Sequence, residues 1–319
     1  MYDTGKRFPF ILKTSMKKII ITGATGSIGR NLVRQLSARG DQIIVFSRNP
    51  EIAEVKLPQV KKFIKWDYER VDAMMLEMHS IDAIVHLAGA NLGARRWSDE
   101  YKKLAYDSRI ISTGNLVEAI KLAAQKPKAF ICSSAVGFYG NRYDDVLGEN
   151  SLSGKDYLAK LCNDWEKEAE RVEQFGVRRV SIRTGLILMN DEGVLKQMLM
   201  PFKLFIGGPL GNGKQWFPWI HIDDIVGVYL HAIDNDNLTG PVNAASLGIV
   251  RMNEFAKTLG KLLNRPSIFP VPKFLMKIVA GEVADYAVMS QRVSVEKILN
   301  SGYEFRFENL EESLKDLLK

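Results

Sequence analysis

Near the start of the chain, Ile19-Ile20-Ile21-Thr22 runs into Gly23-Ala24-Thr25-Gly26-Ser27-Ile28-Gly29, and Leu32, Val33 and Leu36 follow at helical spacing. An apolar run, a glycine turn and an apolar stripe of period 3.6 together read as a buried strand, a tight turn and a helix start. The three glycines answer three needs: a bend that a Cβ would obstruct, close approach of the main chain to a phosphate, and tight packing of the new helix on the strand. The helix start offers free N–H groups and partial positive charge to that phosphate. A glycine triplet alone also serves ordinary strand-to-helix turns. The flanks are what point to a dinucleotide site, with Gly23, Thr25, Gly26, Ser27, Ile28 and Gly29 as its candidate residues.

A chain of 319 residues, 46% hydrophobic, can build one large core and a smaller second one, so two lobes are expected. No apolar run approaches the roughly 20 residues that cross a bilayer, so no membrane partner is expected. Residues 1–15 hold only the short apolar stretch Pro9 to Leu12, too brief for a signal-peptide core. They read as an N-terminal extension, with the fold beginning at Met16. Cys132 and Cys162 sit in apolar settings without a C-x-x-C pair, which fits a reducing cytoplasm. The histidines at 79, 86, 221 and 231 have no metal-ligand spacing and read as packed or hydrogen-bonded; no metal is expected. The net charge is +7, but Lys and Arg are scattered among acids. That distribution favours an anionic cofactor or substrate over nucleic acid.

After the first helix, Gln42 to Phe46 reads as a strand ending at Ser47-Arg48-Asn49-Pro50. About 20 residues past a glycine turn, an acid would grip the ribose hydroxyls of NAD. No acid is present. Arg48 offers a permanently charged fork to a 2′-phosphate and Ser47 a hydroxyl, which favours NADP over NAD; the bland alternative is a solvated loop arginine. Val60 to Trp66 reads as a third strand, with Asp67 placed either at the adenine edge or simply as an exposed loop acid. A helix from Val71 to Met78 follows, then a fourth strand from Ile81 to Ala90 that runs into small residues, which let ribose and diphosphate lie on the backbone along Leu87-Ala88-Gly89. Alternating strand and helix argue for an α/β fold, a doubly wound parallel sheet covered on both faces.

These stretches, Thr22-Gly23-Ala24-Thr25-Gly26-Ser27-Ile28-Gly29 with His86-Leu87-Ala88-Gly89, resemble an extended short-chain dehydrogenase/reductase. Arg95-Arg96-Trp97, Ser108-Arg109, Ser134 to Gly140, Gln215 to Asp224 and Gly240 to Ala244 are similar to its epimerase family protein branch, which is NAD-dependent epimerase/dehydratase-like. The similarity runs from Met16 to Lys319. It implies a Rossmann-type domain over 16–185, completed by about 220–246, and a smaller, mostly helical substrate lobe from 186–219 and 247–319. It implies an oxidoreductase or epimerase acting on a small polar or sugar-like molecule; a monomer or a homodimer is expected.

The wider superfamily uses a Ser, a Tyr and a Lys in Y-x-x-x-K, often with an Asn; the Lys lowers the Tyr pKa so that it can pass a proton while hydride moves. Here Ser134, at the end of a strand from Lys128, is the candidate serine, or else a serine satisfying loop backbone. Tyr157 is followed by Lys160 at i+3 and Leu161 at i+4, so the motif is broken. The superfamily Asn falls on Arg109, in a helix read from Asp107 to Leu122. A buried cation there would favour an anionic substrate or intermediate, or it would clamp a loop or the diphosphate. Ser134, Tyr157 and Arg109 are therefore the candidate catalytic residues of an unconventional set. The alternative is an NADP(H)-binding sensor or scaffold that has lost turnover. Thr184 and Gly185, after a strand from Val177, are expected beneath the nicotinamide. Gly207 to Trp216 reads as a substrate-side flap, Trp216, Phe217 and Trp219 as packing, and Asp223 as a helix N-cap. Phe274 to Val279 and Leu310, Leu314, Leu317 and Leu318 read as core stripes of two further helices.

Overall fold

The computed structural model describes residues 16–68, 71–75 and 77–319; the expected extension over 1–15 lies outside them. Its centre is a seven-stranded sheet built from β1 (Lys18–Thr22), β2 (Gln42–Ser47), β3 (Lys62–Lys65), β4 (Ala83–His86), β5 (Ala129–Ala135) and the strands Arg178–Thr184 and Gly240–Ala244. In space they run β3-β2-β1-β4-β5, then Arg178–Thr184, then Gly240–Ala244. Every pairing is parallel. The order reverses direction between β1 and β4, the crevice where open α/β sheets take their ligands.

Helices α1 (Ser27–Arg39), α2 (Pro50–Lys56), α3 (Asp72–Met75), α4 (Asp99–Leu122) and α5 (Tyr157–Glu170) alternate with the strands. A strand with helices on both faces must be apolar on both, and Ile19, Ile20 and Ile21 are all fully buried. Ile19 and Ile21 join the core under α1 and the helix Ile222–Asp234, while Ile20 joins the opposite one under α4 and α5. A third apolar cluster takes Leu195, Phe202, Phe217 and Trp219 from one stretch and Phe255, Leu310 and Leu314 from the C-terminal one. Phe217 and Trp219 thus pack, while Trp216 stays half-exposed and donates to Asp144 at 2.8 Å.

Four expectations shift. The third and fourth strands are shorter than the apolar runs, ending at Lys65 and His86, because the following residues turn away onto the ligand edge. Helix α4 begins earlier, at Asp99, where Ser98 accepts the Tyr101 N–H at 3.2 Å as its cap. The helix after His221 is capped by His221 itself, whose Nδ1 accepts the Asp223 N–H at 3.0 Å. Asp223, inside the first turn, pairs instead with Arg306 at 2.8 Å. The helix Lys273–Ala280 buries none of its residues, and Phe274, Ile278 and Val279 face outward. In contrast, Leu310, Leu314 and Leu317 of the last helix are buried as the spacing predicts. Among the described residues, no helix is long and apolar enough to cross a membrane.

Candidate functional site

The ligand edge follows from the register. Thr22 lies beside Phe46 and His86, His86 beside Cys132, and Ala135 beside Thr184, so the carboxyl ends of five strands stand in line. Gly23 leaves β1 with φ +67°, and a Cβ on it would come within 2.6–2.8 Å of the Leu87–Ala88 backbone. Both conditions exclude other residues. A Cβ on Gly29 would fall 2.6 Å from Ala24 and from the Gly23 carbonyl, so α1 starts pressed onto the turn. Gly26 caps α1 without any side-chain bond, and no acid stands in the first turn. The N–H groups around Ser27 and Ile28 therefore face the groove with the positive end of the helix. These are the features a diphosphate requires, and Gly23, Thr25, Gly26, Ser27, Ile28, Leu87, Ala88 and Gly89 fit one lying across them. Gly26 and Gly89 are exposed and the others part-exposed or half-buried along this strip.

At the end of β2, Arg48 is exposed, and among the described residues no side chain or carbonyl engages its guanidinium; Ser47 accepts the Asn49 N–H at 3.2 Å. Asp67 is exposed beyond β3. On the far side, Gly185 donates to Ala244 O at 2.9 Å, and Thr184 is half-buried at the mouth of its strand. One neighbour was not legible beforehand. Glu192, which precedes the helix Gly193–Lys203, accepts from the Ser27 hydroxyl and pairs with Arg30 at 2.6 Å. Those contacts hold its carboxyl below the usual range. A carboxylate thus rests on the start of α1, 165 residues away in sequence.

Beneath the strip lies a closed hydrogen-bond network. His86 Nδ1 meets Thr22 Oγ1 at 2.7 Å, and its Nε2 meets Thr113 Oγ1 at 3.0 Å and Ser112 Oγ at 3.2 Å. The partners fix the proton. Thr113 accepts from the Trp165 indole at 2.9 Å and donates to Arg109 O at 2.6 Å, so it can only accept from His86. Thr22 accepts the Ala88 N–H at 3.2 Å and donates to Nδ1. His86 is therefore neutral with its proton on Nε2, an assignment that rests on this network. Complete burial, aided by the nearby Arg109 cation, pushes its pKa down to about 3.

The hydroxyls of the catalytic candidates Ser134 and Tyr157 are each engaged by protein groups. Ser134 stands at the end of β5 as expected, but its hydroxyl donates to Glu166 Oε1 at 2.6 Å. Glu166 is gripped by Arg183 through two bonds of 2.8 Å, and Arg183 also donates to Tyr139 Oη and Glu149 O at 2.9 Å while stacking 3.5 Å above Phe138. Tyr139 hands on to Asn243 Oδ1 at 2.6 Å. Tyr157 opens α5, and its hydroxyl donates to the Lys102 carbonyl at 2.7 Å while its ring meets Trp97. Burial raises its pKa. Lys160 is exposed and paired with Asp164. Serine, tyrosine and lysine thus belong to three separate local arrangements. Cys162, fully buried on α5, has its thiol pushed up to about 12 by burial and is inert as a nucleophile.

Arg109 is different. Its Nη1 donates to Ala105 O at 3.0 Å, its guanidinium lies over the Trp165 ring at 5.1 Å, and burial lowers its pKa. Among the described residues no carboxylate pairs with it. A Cβ built on Gly89 would meet Arg109 Cζ, Nη2 and Nε at 2.9, 3.1 and 3.2 Å, so this cation lies directly against the ligand strip.

Comparison with known proteins agrees with this architecture. Residues 19–245 match the NAD dependent epimerase/dehydratase family, and residues 271–317 match a domain of unknown function, DUF1731. An epimerase family protein of Staphylococcus haemolyticus is 37% identical over 95% of this chain and 99% of its own. The chloroplastic SDR39U1 homolog of Arabidopsis thaliana is 37% identical over 96% of this chain and 88% of its own. The crystal structure of human epimerase family protein SDR39U1 (isoform 2) with NADPH superposes with a TM-score of 0.83 at 31% identity, covering 94% of this chain and 98% of the human one. A parallel sheet with its crevice at the glycine turn, matched across this length, means that the chain belongs to the NAD dependent epimerase/dehydratase family.

Proposed function

We propose that the protein is an NADP(H)-dependent oxidoreductase or epimerase-type enzyme acting on a small polar molecule. The observation that carries the reading is the acid-free end of β2, where Ser47 and the unengaged Arg48 stand beside the glycine turn. A carboxylate there would repel a 2′-phosphate, whereas a guanidinium fork binds one bidentately. The similar human protein was crystallised with NADPH, which supports the same choice.

When bound, the nicotinamide supplies or accepts a hydride. The chain's own part is binding and electrostatics: the start of α1 holds the diphosphate, Leu87 to Gly89 lie flat beneath it, and Arg109 opposes negative charge that develops nearby. Tyr157 and Lys160 are occupied elsewhere, so no side-chain proton relay of the Y-x-x-x-K kind is built. That same absence favours the second reading, an NADP(H)-binding sensor or scaffold.

Parallel titrations with NADPH and NADH, followed by nicotinamide fluorescence, test the cofactor. Preference for NADPH supports the reading; binding of neither removes it. Oxidation of bound NADPH is then followed across carbonyl and nucleotide-sugar compounds. Turnover with any of them selects the enzyme, and tight binding with no turnover selects the sensor.

A further inference from the structure

The helix Lys273–Ala280 is turned inside out for a helix in water. Its charged side faces the protein: Lys273 and Lys277, one turn apart, both pair with Asp285 on the helix Val283–Ala287, at 2.6 and 3.1 Å, and Arg96 donates to the Lys277 carbonyl at 3.3 Å. Its apolar side faces out. Phe274 and Ile278 form one row and Leu275 and Val279 the next, at i, i+4 spacing, and the four are 45–78% exposed. A surface helix of a soluble domain lays such a stripe against the core, so an outward stripe marks a surface that something else covers.

The stripe has neighbours of the same kind. Pro272, its cap, follows Val271, which donates to Pro209 O and accepts the Gly211 N–H, both at 2.9 Å, and Phe269 donates to Gly207 O at 3.2 Å. Residues 204–211 and 265–271 thus run side by side at the start of the helix, and Phe205, Ile206, Ile268 and Phe269 are 49–73% exposed there. Of the 22 large apolar side chains exposed among the described residues, ten fall in 200–206 and 268–279. That concentration sets them apart from the single exposed apolar residues every soluble protein carries.

Charge points to the occupant. Residues 193–214 and 255–281 hold eight Lys and Arg and no Asp or Glu, where the chain's 37 acids in 319 residues would place about six. Lys203 is exposed, Arg265 lies over the Phe205 ring at 4.2 Å, and the single Asp285 carboxylate offsets only one of the two lysines it binds. A second copy of this chain would set these cations against their own like. Protein interfaces are rich in Tyr and Trp and poor in Lys, whereas these two stretches have no Tyr or Trp and seven Lys. Phe, Leu and Ile beside Lys and Arg is the combination with which helices lie on anionic lipid. Crossing a bilayer takes about 20 apolar residues, which no helix among the described residues supplies, but lying on one takes only an apolar face. We propose that this face docks on an anionic lipid surface, with Phe274, Leu275, Ile278 and Val279 entering the headgroup layer and Lys203 and Arg265 meeting lipid phosphates.

The test sediments the full chain with vesicles of phosphatidylcholine alone and of equal parts phosphatidylcholine and phosphatidylglycerol. Partition onto the anionic vesicles should exceed that onto the neutral ones by about tenfold or more and fall several-fold between about 0.05 and about 0.5 M salt, as screening dictates. The double variant Phe274→Ser, Ile278→Ser should lose about tenfold or more of the anionic partition, because two apolar side chains no longer leave water. Lys203→Glu should lose several-fold. Both variants should unfold at the temperature of the unaltered chain, since the altered side chains are exposed. No sedimentation with anionic vesicles, equal sedimentation with neutral ones, or undiminished sedimentation of the double variant each overturns the proposal; the first would turn the face over to an acidic protein. A lipid-free dimer, seen by sedimentation velocity and abolished in the double variant, overturns it too, since the face would then join two copies. Should the double variant not fold, Lys203→Glu carries the same comparison, and anionic partition unchanged in it overturns the proposal.

Discussion

Arg48 is exposed and, among the described residues, has no hydrogen-bond or ion-pair partner, so replacing it chiefly reads out cofactor recognition. Arg48→Ala should weaken NADPH by about tenfold or more and leave NADH nearly unchanged, as expected for loss of charge-assisted bonds to a phosphate that NADH lacks. Equal losses for both cofactors would take the 2′-phosphate away from Arg48. Ser134 is the opposite case, because its hydroxyl satisfies a buried carboxylate. Ser134→Ala should cost roughly 1–3 kcal/mol in chemical unfolding, the penalty of a buried acceptor losing a donor, and leave cofactor affinity intact. If instead turnover collapses while stability holds, the serine is catalytic. Glu166→Ala should cost more, about 3–5 kcal/mol, because it strands the Arg183 charge in the core.

At the scale of elements, local chemistry was legible and partnership was not. The strand, turn and helix of 18–39 are dictated by residues within a few positions of one another, and they form as read. Caps were harder: His221 and Asp223 can both cap, and in the fold His221 caps while Asp223 pairs with Arg306, far along the chain. The apolar stripe of Lys273–Ala280 is visible in sequence, but whether it is covered depends on what the rest of the chain places over it. The pairs Ser134–Glu166, Glu166–Arg183 and Ser27–Glu192 join residues that no periodicity links. Backbone geometry marks the glycine-turn candidates in the sequence, whereas the engaged hydroxyls of Ser134 and Tyr157 were not foreseen. The segment before Gly193–Lys203 yields its own prediction. Glu192→Gln removes a charge from the start of α1 and should tighten NADPH by a few-fold, consistent with the worth of one charge at a helix N-terminus. Unchanged affinity in a fluorescence titration would show that this carboxylate does not compete.

For the whole molecule, two buried groups set opposite limits with pH. His86 has a folded pKa of about 3, below its unfolded value of 6.5, so its contribution is complete above 6.5 and is lost as pH falls toward 3. At pH 5 that loss is on the order of 2 kcal/mol. Asp224, buried against the N–H groups of Arg306 and Phe307, is raised by burial to about 6. Its contribution is complete below 3.8 and is lost as pH rises through 6. Thermal unfolding across pH should show a steep acid limb that flattens in His86→Gln; an unaltered limb would mean the imidazole is not what acid attacks. The contact between Glu192 and the Ser27–Arg30 corner bears on how a dinucleotide is admitted. Binding there is an exchange of one anion for another, a tethered carboxylate giving way to a diffusing phosphate. Such an exchange changes the local charge less than capture by a bare cation would. Cofactor affinity should then depend on ionic strength more weakly than the chain's net charge of +7 suggests.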